Sequence, residues 1–566
     1  MLADYLGRFD STVSTAGVKL ILSRVARTSV QTNLSPHARS LSIQKAMHKL
    51  IAAHLDLKGV SFKPAYDHEY LENLHALAIN TLIVEYEDAF PFEGFQMAHD
   101  KHVVWSRRRL SDFQKKAASL GIEIIPLQQT LGHLEYVFRW QNYASYTLPG
   151  HPSTLDIWNK KAVRMIDEML RQVIAAHPDS RFVHVGMDEA HSLIAAAKAR
   201  KAPVLSLYFE RLESICQICE QYGKTPIIFS DMLEEHFSAE ALERLCSFKT
   251  RLVLQPWDYQ STASTSFYCR FGGTRVAQHW KDRGSLPETP PMGIESLGAV
   301  EELPEPILRL VRPYFKSHKV NSLCQVAIWL ELGFRVFGAT AVRISSDGQY
   351  LIPHTKRLSN IRTWAKWLRH RNFIGLMATS WARGNSCCRP NAMPEVTWGV
   401  LQAFSRQCGR RPAPFFGEID TQAQTYIAQS QSFLEGKIDR PAFLKEANAL
   451  APKIESHSFE WRFFCLILEM LILKEQGDLA QLEVDDYLYS KQLSPQLWQR
   501  RIADQDRYIL ANRKLKTRFK KLLLSRYRGN AVEEWLSGVF NTPCKKLTVL
   551  RDVCLRKLDE AKKIYN

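Results

Sequence analysis

The feature that most constrains the fold of this 566-residue chain is an alternation that begins at Ile51. Short apolar runs rich in β-branched residues recur, each followed by a longer stretch with helical spacing, the texture of a parallel α/β sheet. The runs that read as strands are Ala52–Leu57, Thr81–Tyr86, Ile122–Leu127, Phe182–Gly186, Pro226–Ser230, Leu252–Gln255, Val336–Ile344 and Gly375–Ser380. Between them, His68–Leu77, Leu110–Ser119, Asn159–Ala176 and Val204–Tyr222 carry the helical pattern. Eight strands over roughly 350 residues fit a (β/α)8 barrel with some long loops. A doubly wound sheet shares the same local alternation, so the pattern alone leaves both folds open.

The boundaries follow from where this texture starts and stops. Residues 1–48 read as a helical N-terminal segment, residues 49–408 as the α/β unit, and residues 409–566 as an all-α C-terminal domain. Arg410–Pro414 reads as the linker, and the stretch from Asp258 to Ser322 as an insertion on the face that carries the strand ends. No run of about 18 uncharged apolar residues occurs, so no membrane partner is expected. Phe463–Leu473 comes nearest, but Glu469 interrupts it, and a buried helix is the better reading. Eleven scattered cysteines do not suggest a disulfide framework, and the N-terminus shows no signal peptide pattern. Together these features point to the cytoplasm.

The net charge of +17 raises the question of a polyanionic partner. Much of the excess lies in residues 501–566, which hold 17 Lys/Arg against 7 Asp/Glu. There Lys514, Lys516, Arg518, Lys520 and Lys521 alternate with Leu515, Phe519 and Leu522–Leu524. That spacing suits an amphipathic helix with a solvated basic face, so nucleic acid is not the expected partner.

Chemistry concentrates at the strand ends. The run Phe182-Val183-His184-Val185-Gly186-Met187-Asp188-Glu189-Ala190-His191 is an apolar strand followed at once by two adjacent carboxylates. In a barrel, such residues project into the mouth where catalysis sits. Two neighbouring carboxyls in a partly desolvated site do not both ionise cheaply, so one should hold its proton. Taken alone, the pair reads more readily as a cap for the next helix. The other strand ends tilt the balance. Gln128–Glu135 offers His133 and Glu135, and Glu85-Tyr86-Glu87-Asp88 crowds three acids together. Trp257-Asp258-Tyr259 and Trp381 bring aromatic faces, with Trp329 and Trp364 near in sequence to strands. Carboxylates beside tryptophan suit a pyranose, which presents apolar C–H faces as well as hydroxyls.

These residues resemble glycoside hydrolase family 20, the β-N-acetylhexosaminidases. The family signature His-x-Gly-x-Asp-Glu is matched by His184, Gly186, Asp188 and Glu189. Within the family the likeness is greatest to the hexosaminidase D type, through His54–Gly59, Ile83–Gly94 and Gln129–Glu135 in the same order and spacing. The resemblance runs from about residue 51 to 257 and more weakly to about 405. It implies a (β/α)8 barrel and a retaining, substrate-assisted mechanism with no enzyme nucleophile and neither cofactor nor metal. In that scheme Glu189 is the general acid and base, and Asp188 holds the substrate's 2-acetamido nitrogen. Tyr259, with Tyr350 in reserve, fixes the acetamido carbonyl. His133 and His184 buttress the acid and the pocket floor, and Trp257 and Trp381 wall the sugar.

The chain departs from the wider family after its first strand. Many members carry an arginine there that grips sugar hydroxyls, whereas this chain has Asp56-Leu57-Lys58. Lys58 offers a point charge instead of a fork, so Glu87 or Asp88 would supply hydroxyl contacts. Cys216-x-x-Cys219 has no second ligand pair nearby and does not read as a zinc site. The implied partners are N-acetylhexosamine-terminated glycans or glycoconjugates, and the sequence leaves room for a homodimer. Two other classes compete: a carbohydrate-binding barrel without turnover, and a polyanion binder built on the basic tail.

Overall fold

The structure is a computed structural model, and it describes residues 49–58, 60, 62–95, 103–202, 204–236, 239–261, 323–345, 347, 352–382, 394–414 and 494–565, with scattered positions between 309 and 320 and between 459 and 484. The expected N-terminal segment 1–48, most of the insertion after Asp258, and Tyr350 lie outside the described residues.

Eight parallel strands close into a barrel: β1 (Leu50–Asp56), β2 (Thr81–Glu85), β3 (Glu123–Leu127), β4 (Phe182–His184), β5 (Thr225–Phe229), β6 (Val253–Gln255), β7 (Val336–Arg343) and β8 (Phe373–Ser380). Each pairs with its neighbours in sequence, and β8 closes on β1 through Leu50↔Gly375 to Ala53↔Ala378. The barrel thus settles the choice that local alternation left open. All eight sequence-read strands are present, with ends differing by a few residues.

The pleat explains the composition of the strands. Successive side chains point to opposite faces, so one set faces the barrel interior and the other faces the helices. The interior set is Leu50 and Ala52 from β1, Ile83 from β2, Ile125 and Leu127 from β3, Phe182 from β4, Ile227 and Phe229 from β5, Val253 from β6, and Phe337, Ala339, Ile374 and Met377 from the last two strands. The alternate residues, such as Ile51, Ala53, Val84, Val183 and Leu254, pack with the helices in a second, larger core. Burying each such large side chain contributes about 1.5–3 kcal/mol. Because both faces are covered, the strands read as continuous apolar runs.

Following the interior parity one step towards the carboxyl ends changes the chemistry. Ala52 is succeeded by His54, Ile83 by Glu85, Phe182 by His184, and Val253 by Gln255, all buried. A polar layer therefore caps the apolar one, with Trp257 and Trp381 packed against the interior cluster.

Beyond the barrel, helices Pro495–Leu523, Gly529–Leu536 and Thr542–Tyr565 bear out the helical reading of the C-terminal region where it is described. Phe463 and Met470 lie buried in helical backbone, and Phe463 meets Phe519 and Trp535. Several basic residues of the tail have acidic partners at the surface: Arg507 with Asp504, Arg518 with Glu469, Lys520 with Glu533 and Arg551 with Asp506. Among the described residues no helix is long and apolar enough to cross a membrane.

The helical region meets the barrel through Arg526. Its guanidinium is buried over the Tyr66 and Phe459 rings, 4.3 and 3.7 Å from their centroids, and it donates to Tyr66 Oη and Glu69. The adjacent backbone continues the contact, with Lys63 N–H donating to Arg526 O at 2.7 Å. Arg526→Ala should lower stability by about 2 kcal/mol, through lost ring and ion-pair contacts. A urea midpoint equal to wild type would show that the clasp contributes nothing.

Candidate active site

The first carboxylate of the Asp188–Glu189 pair lies four residues beyond the end of β4, after a turn whose backbone is unusual. Gly186, Met187 and Glu189 all have positive φ, as do His133 after β3 and Glu87 after β2. For non-glycine residues such values are strained, and the surrounding contacts must hold them in place. Thr130 Oγ1 donates to Val185 O at 2.7 Å, and the Glu189 N–H donates to Asp231 Oδ2 at 2.9 Å. Gly132 is needed for proximity: a Cβ there would sit 2.7 Å from the Asp188 carbonyl oxygen. The next helix, His191–Ala199, takes Ala190 as its N-cap and has no side-chain cap. The acids are therefore not helix caps.

The two carboxyls differ in surroundings. Asp188 is buried, whereas the Glu189 side chain is 45% exposed. His133 Nε2 stands 3.5 Å from both Asp188 Oδ2 and Glu189 Oε2. Burial pushes the Asp188 carboxyl up to about 7; His133 opposes this, and the Asp231 and Glu189 charges add to it. For His133, burial is outweighed by the Asp188 charge and the hydrogen bond to Glu189, which hold the imidazole cationic up to about 10.

Asp231, two residues after β5, was not singled out in the sequence. It is buried, and besides the Glu189 amide it receives the Trp257 indole N–H on Oδ1 at 3.2 Å. One carboxylate thereby ties the acid's backbone to an aromatic wall. The missed signal was its place at a strand end, Phe229-Ser230-Asp231, the same context that marked the other acids.

Trp257 and Tyr259 stack at 5.2 Å and 25°. Their loop is held from behind: Arg357 donates to Tyr259 O at 2.6 Å, and both Asn360 Nδ2 and Trp364 Nε1 donate to Asp258 O. The Tyr259 hydroxyl engages the side chains of Trp381 and Thr379, and burial raises its pKa above the usual phenol range. The phenol therefore stays neutral. Trp364, fully buried, belongs to this support and not to a pocket wall.

His184 is fully buried at the floor. Its Nδ1 accepts the Gly186 N–H at 3.1 Å, and its other nitrogen meets Gln255 Oε1 at 2.5 Å. Burial lowers its pKa to about 4, so the ring is neutral with its proton on Nε2.

Two expectations need correction. Trp329 lies in helix Cys324–Glu331, is completely buried, and donates to Glu234 Oε1 at 3.0 Å. It braces the helix after β5 and does not line a sugar pocket, because helical spacing turns it into the core. Lys58 is also buried, with Nζ 2.7 Å from Glu85 Oε2, 3.3 Å from Asp56 Oδ1 and 3.7 Å from Glu87 Oε1. It also lies 5.1 Å from the Trp381 ring centroid. Burial disfavours its charge, yet the three acids hold it protonated. It neutralises a buried acid cluster instead of presenting a free cation to a ligand.

Within that cluster, Glu85 stays ionised because Lys58 and His54 overcome its burial. Glu87 goes the other way: burial and the charges of Glu85, Asp56 and Asp88 raise it despite Lys58. Neither Glu87 carboxyl oxygen has a hydrogen-bond partner. Asp88 receives Arg139 Nη2 at 2.7 Å.

No family model matches this chain. Over 219 residues it is 30% identical to Hexosaminidase D of Bos taurus, an alignment covering 36% of this chain and 62% of that protein. It is also 30% identical over 219 residues to Hexosaminidase D of Homo sapiens, covering 36% of this chain and 44% of that protein. The chain thus matches less than two thirds of the length of either relative. Among solved structures, a β-N-acetylhexosaminidase from Bacteroides fragilis aligns with TM-score 0.43 and 12% identity over 69% of this chain and 71% of its own. A Flavobacterium johnsoniae chitobiase aligns with TM-score 0.42 and 12% identity, over 91% and 72%.

The Asp188 environment has a consequence for stability. Its carboxyl moves from 3.8 to about 7 on folding, so the native state favours the protonated acid. The resulting stability is fully present below the unfolded value and is lost as pH rises through about 7. Asp188→Asn, uncharged throughout, should therefore gain in melting temperature over wild type between about pH 5 and about pH 8. A difference that stays constant with pH would contradict this assignment.

Proposed function

We propose that this chain is a β-N-acetylhexosaminidase of glycoside hydrolase family 20, exo-acting and retaining, which releases terminal β-linked GlcNAc, GalNAc or both through an oxazolinium intermediate. The observation that carries the reading is the Asp188–Glu189 pair at the end of β4: one acid buried, the other open, both against His133. The 30% identity to Hexosaminidase D supports the same activity.

The unequal environments suit unequal tasks. Glu189, partly exposed, can reach a leaving glycosidic oxygen and exchange protons with incoming water. Buried Asp188 is suited to accept the N–H of the substrate's acetamido group and to orient its carbonyl oxygen towards the anomeric carbon. As that oxygen bonds to carbon, positive charge develops on the acetamido group. An ionised Asp188 in a dry site stabilises it strongly. Departure of the Glu189 proton leaves a second carboxylate, and the His133 cation balances it.

Tyr259, neutral and engaged with Trp381, is suited to hydrogen-bond the acetamido carbonyl. Trp257 and Trp381 offer apolar faces to the ring and the acetamido methyl. Glu87, pushed towards its protonated form and with unmet hydrogen-bonding capacity, is suited to the sugar hydroxyls. A cytoplasmic location belongs to the same proposal; Cys216, Cys219, Cys246, Cys324, Cys408, Cys544 and Cys554 are free thiols, as suits a reducing compartment.

The direct test is a panel of aryl β-glycosides carrying gluco, galacto and 6-sulfated N-acetylhexosamines. Hydrolysis of none of them would sink the proposal. Glu189→Gln should lower kcat on substrates with poor leaving groups by about 10²–10⁴-fold, with a smaller loss on activated aryl glycosides. In wild type, kcat/KM should rise with pH through about 7 as Asp188 ionises.

Asp231→Asn provides a test of positioning. Removing a neighbouring negative charge should move that acid limb to lower pH, and loosening the Glu189 turn should lower kcat by about 10²-fold. A variant with an unmoved limb would assign Asp231 a purely structural part.

A further inference from the structure

A second cluster of chemically competent side chains lies beside the acid pair without belonging to it. His191 opens the helix that follows Glu189, while Glu235 and His236 end the short helix Asp231–Glu235 and its cap. Each offers one donor atom, and the three atoms lie within 4.8 Å of one another. His191 Nδ1 and Glu235 Oε2 are 3.5 Å apart. That is close to the edge of a tetrahedron around zinc, about 3.4 Å for ligand bonds near 2.0–2.1 Å.

The third member is the informative one. His236 Nε2 is buried and has no hydrogen-bond partner, although an orphaned ring nitrogen loses free energy unless something occupies it. Two imidazoles and a carboxylate are the donor set of three-ligand zinc sites that retain an open position.

We propose that His191, Glu235 and His236 form a binding site for a zinc-class divalent cation, bridging the segment after β4 to the segment after β5. The site joins the same two segments that the Glu189 amide to Asp231 hydrogen bond joins. A bound ion would therefore clamp the turn that carries Glu189. The cysteines do not form part of it: Cys216 and Cys219 are buried in helix Val204–Gln221, and burial raises the Cys216 thiol to about 12.

The test uses the full chain after chelator treatment and dialysis, titrated with Co²⁺ and then Zn²⁺. Wild type should show the visible absorption of four- or five-coordinate Co²⁺ at one equivalent, without thiolate charge transfer, and Zn²⁺ should displace it. Zn²⁺ should also raise the melting temperature. His191→Ala, at the exposed member, and the near-isosteric Glu235→Gln should weaken Co²⁺ binding by about 100-fold with little effect on the apo melting temperature. His236→Ala should do the same. Absence of Co²⁺ binding in wild type, or binding of equal strength in His191→Ala and Glu235→Gln, would overturn the site. The readouts are metal binding and stability, so they stand whether or not the chain hydrolyses glycosides.

Discussion

The geometry depends first on the alternation of side chains along parallel strands in a closed barrel, interrupted in β8 by a register shift between Phe373 and Gly375. Once Leu50, Ile83, Phe182 and Val253 face inward, parity fixes the inward residues that follow them. His54, Glu85, His184 and Gln255 then form one polar layer above an apolar floor. A slip of one residue in any strand would send its polar group to the helix side and an apolar one to the mouth. Closure matters equally, because β8 must pair with β1 for Trp381 to stand over His54, 4.8 Å between ring centroids.

That polar layer is tolerable only because charge is balanced locally. Lys58 sits among Asp56, Glu85 and Glu87, and His133 sits between Asp188 and Glu189. Buried carboxylates without such partners would be costly, since desolvation of an ion outweighs most other terms. The balance is incomplete at two positions, where Asp188 and Glu87 are pushed towards their protonated forms. Incomplete compensation leaves Asp188 with proton affinity near neutrality and Glu87 with unmet hydrogen-bonding capacity, the kind of perturbation that marks candidate functional sites. Strained backbone at Glu87, His133, Met187 and Glu189 falls in the same loops, and Asp231 holds the last of these from a neighbouring strand.

The sequence read the barrel well, for a physical reason. Strands covered on both faces must be apolar throughout, so their signal is local and survives without tertiary knowledge. The Asp188–Glu189 pair, His133, His184 and the Trp257-Asp258-Tyr259 run were legible because strand-end position is also a local property. Trp329 and Lys58 were misassigned because proximity in sequence to a strand does not reveal which way a side chain points or what meets it. Asp231 was missed because its importance lies in what it joins: the Glu189 amide and the Trp257 indole arrive from other strands.

By itself, then, the sequence determined the number of strands, their order along the chain, the residue types at their ends and the family they resemble. Each follows from apolar periodicity or short motifs confined to a few neighbouring residues. Only the tertiary structure decided that the sheet closes, which acid is buried, and which cation answers which carboxylate. Those outcomes depend on distances between segments tens or hundreds of residues apart. Desolvation and Coulomb interactions are set by such distances, not by order along the chain.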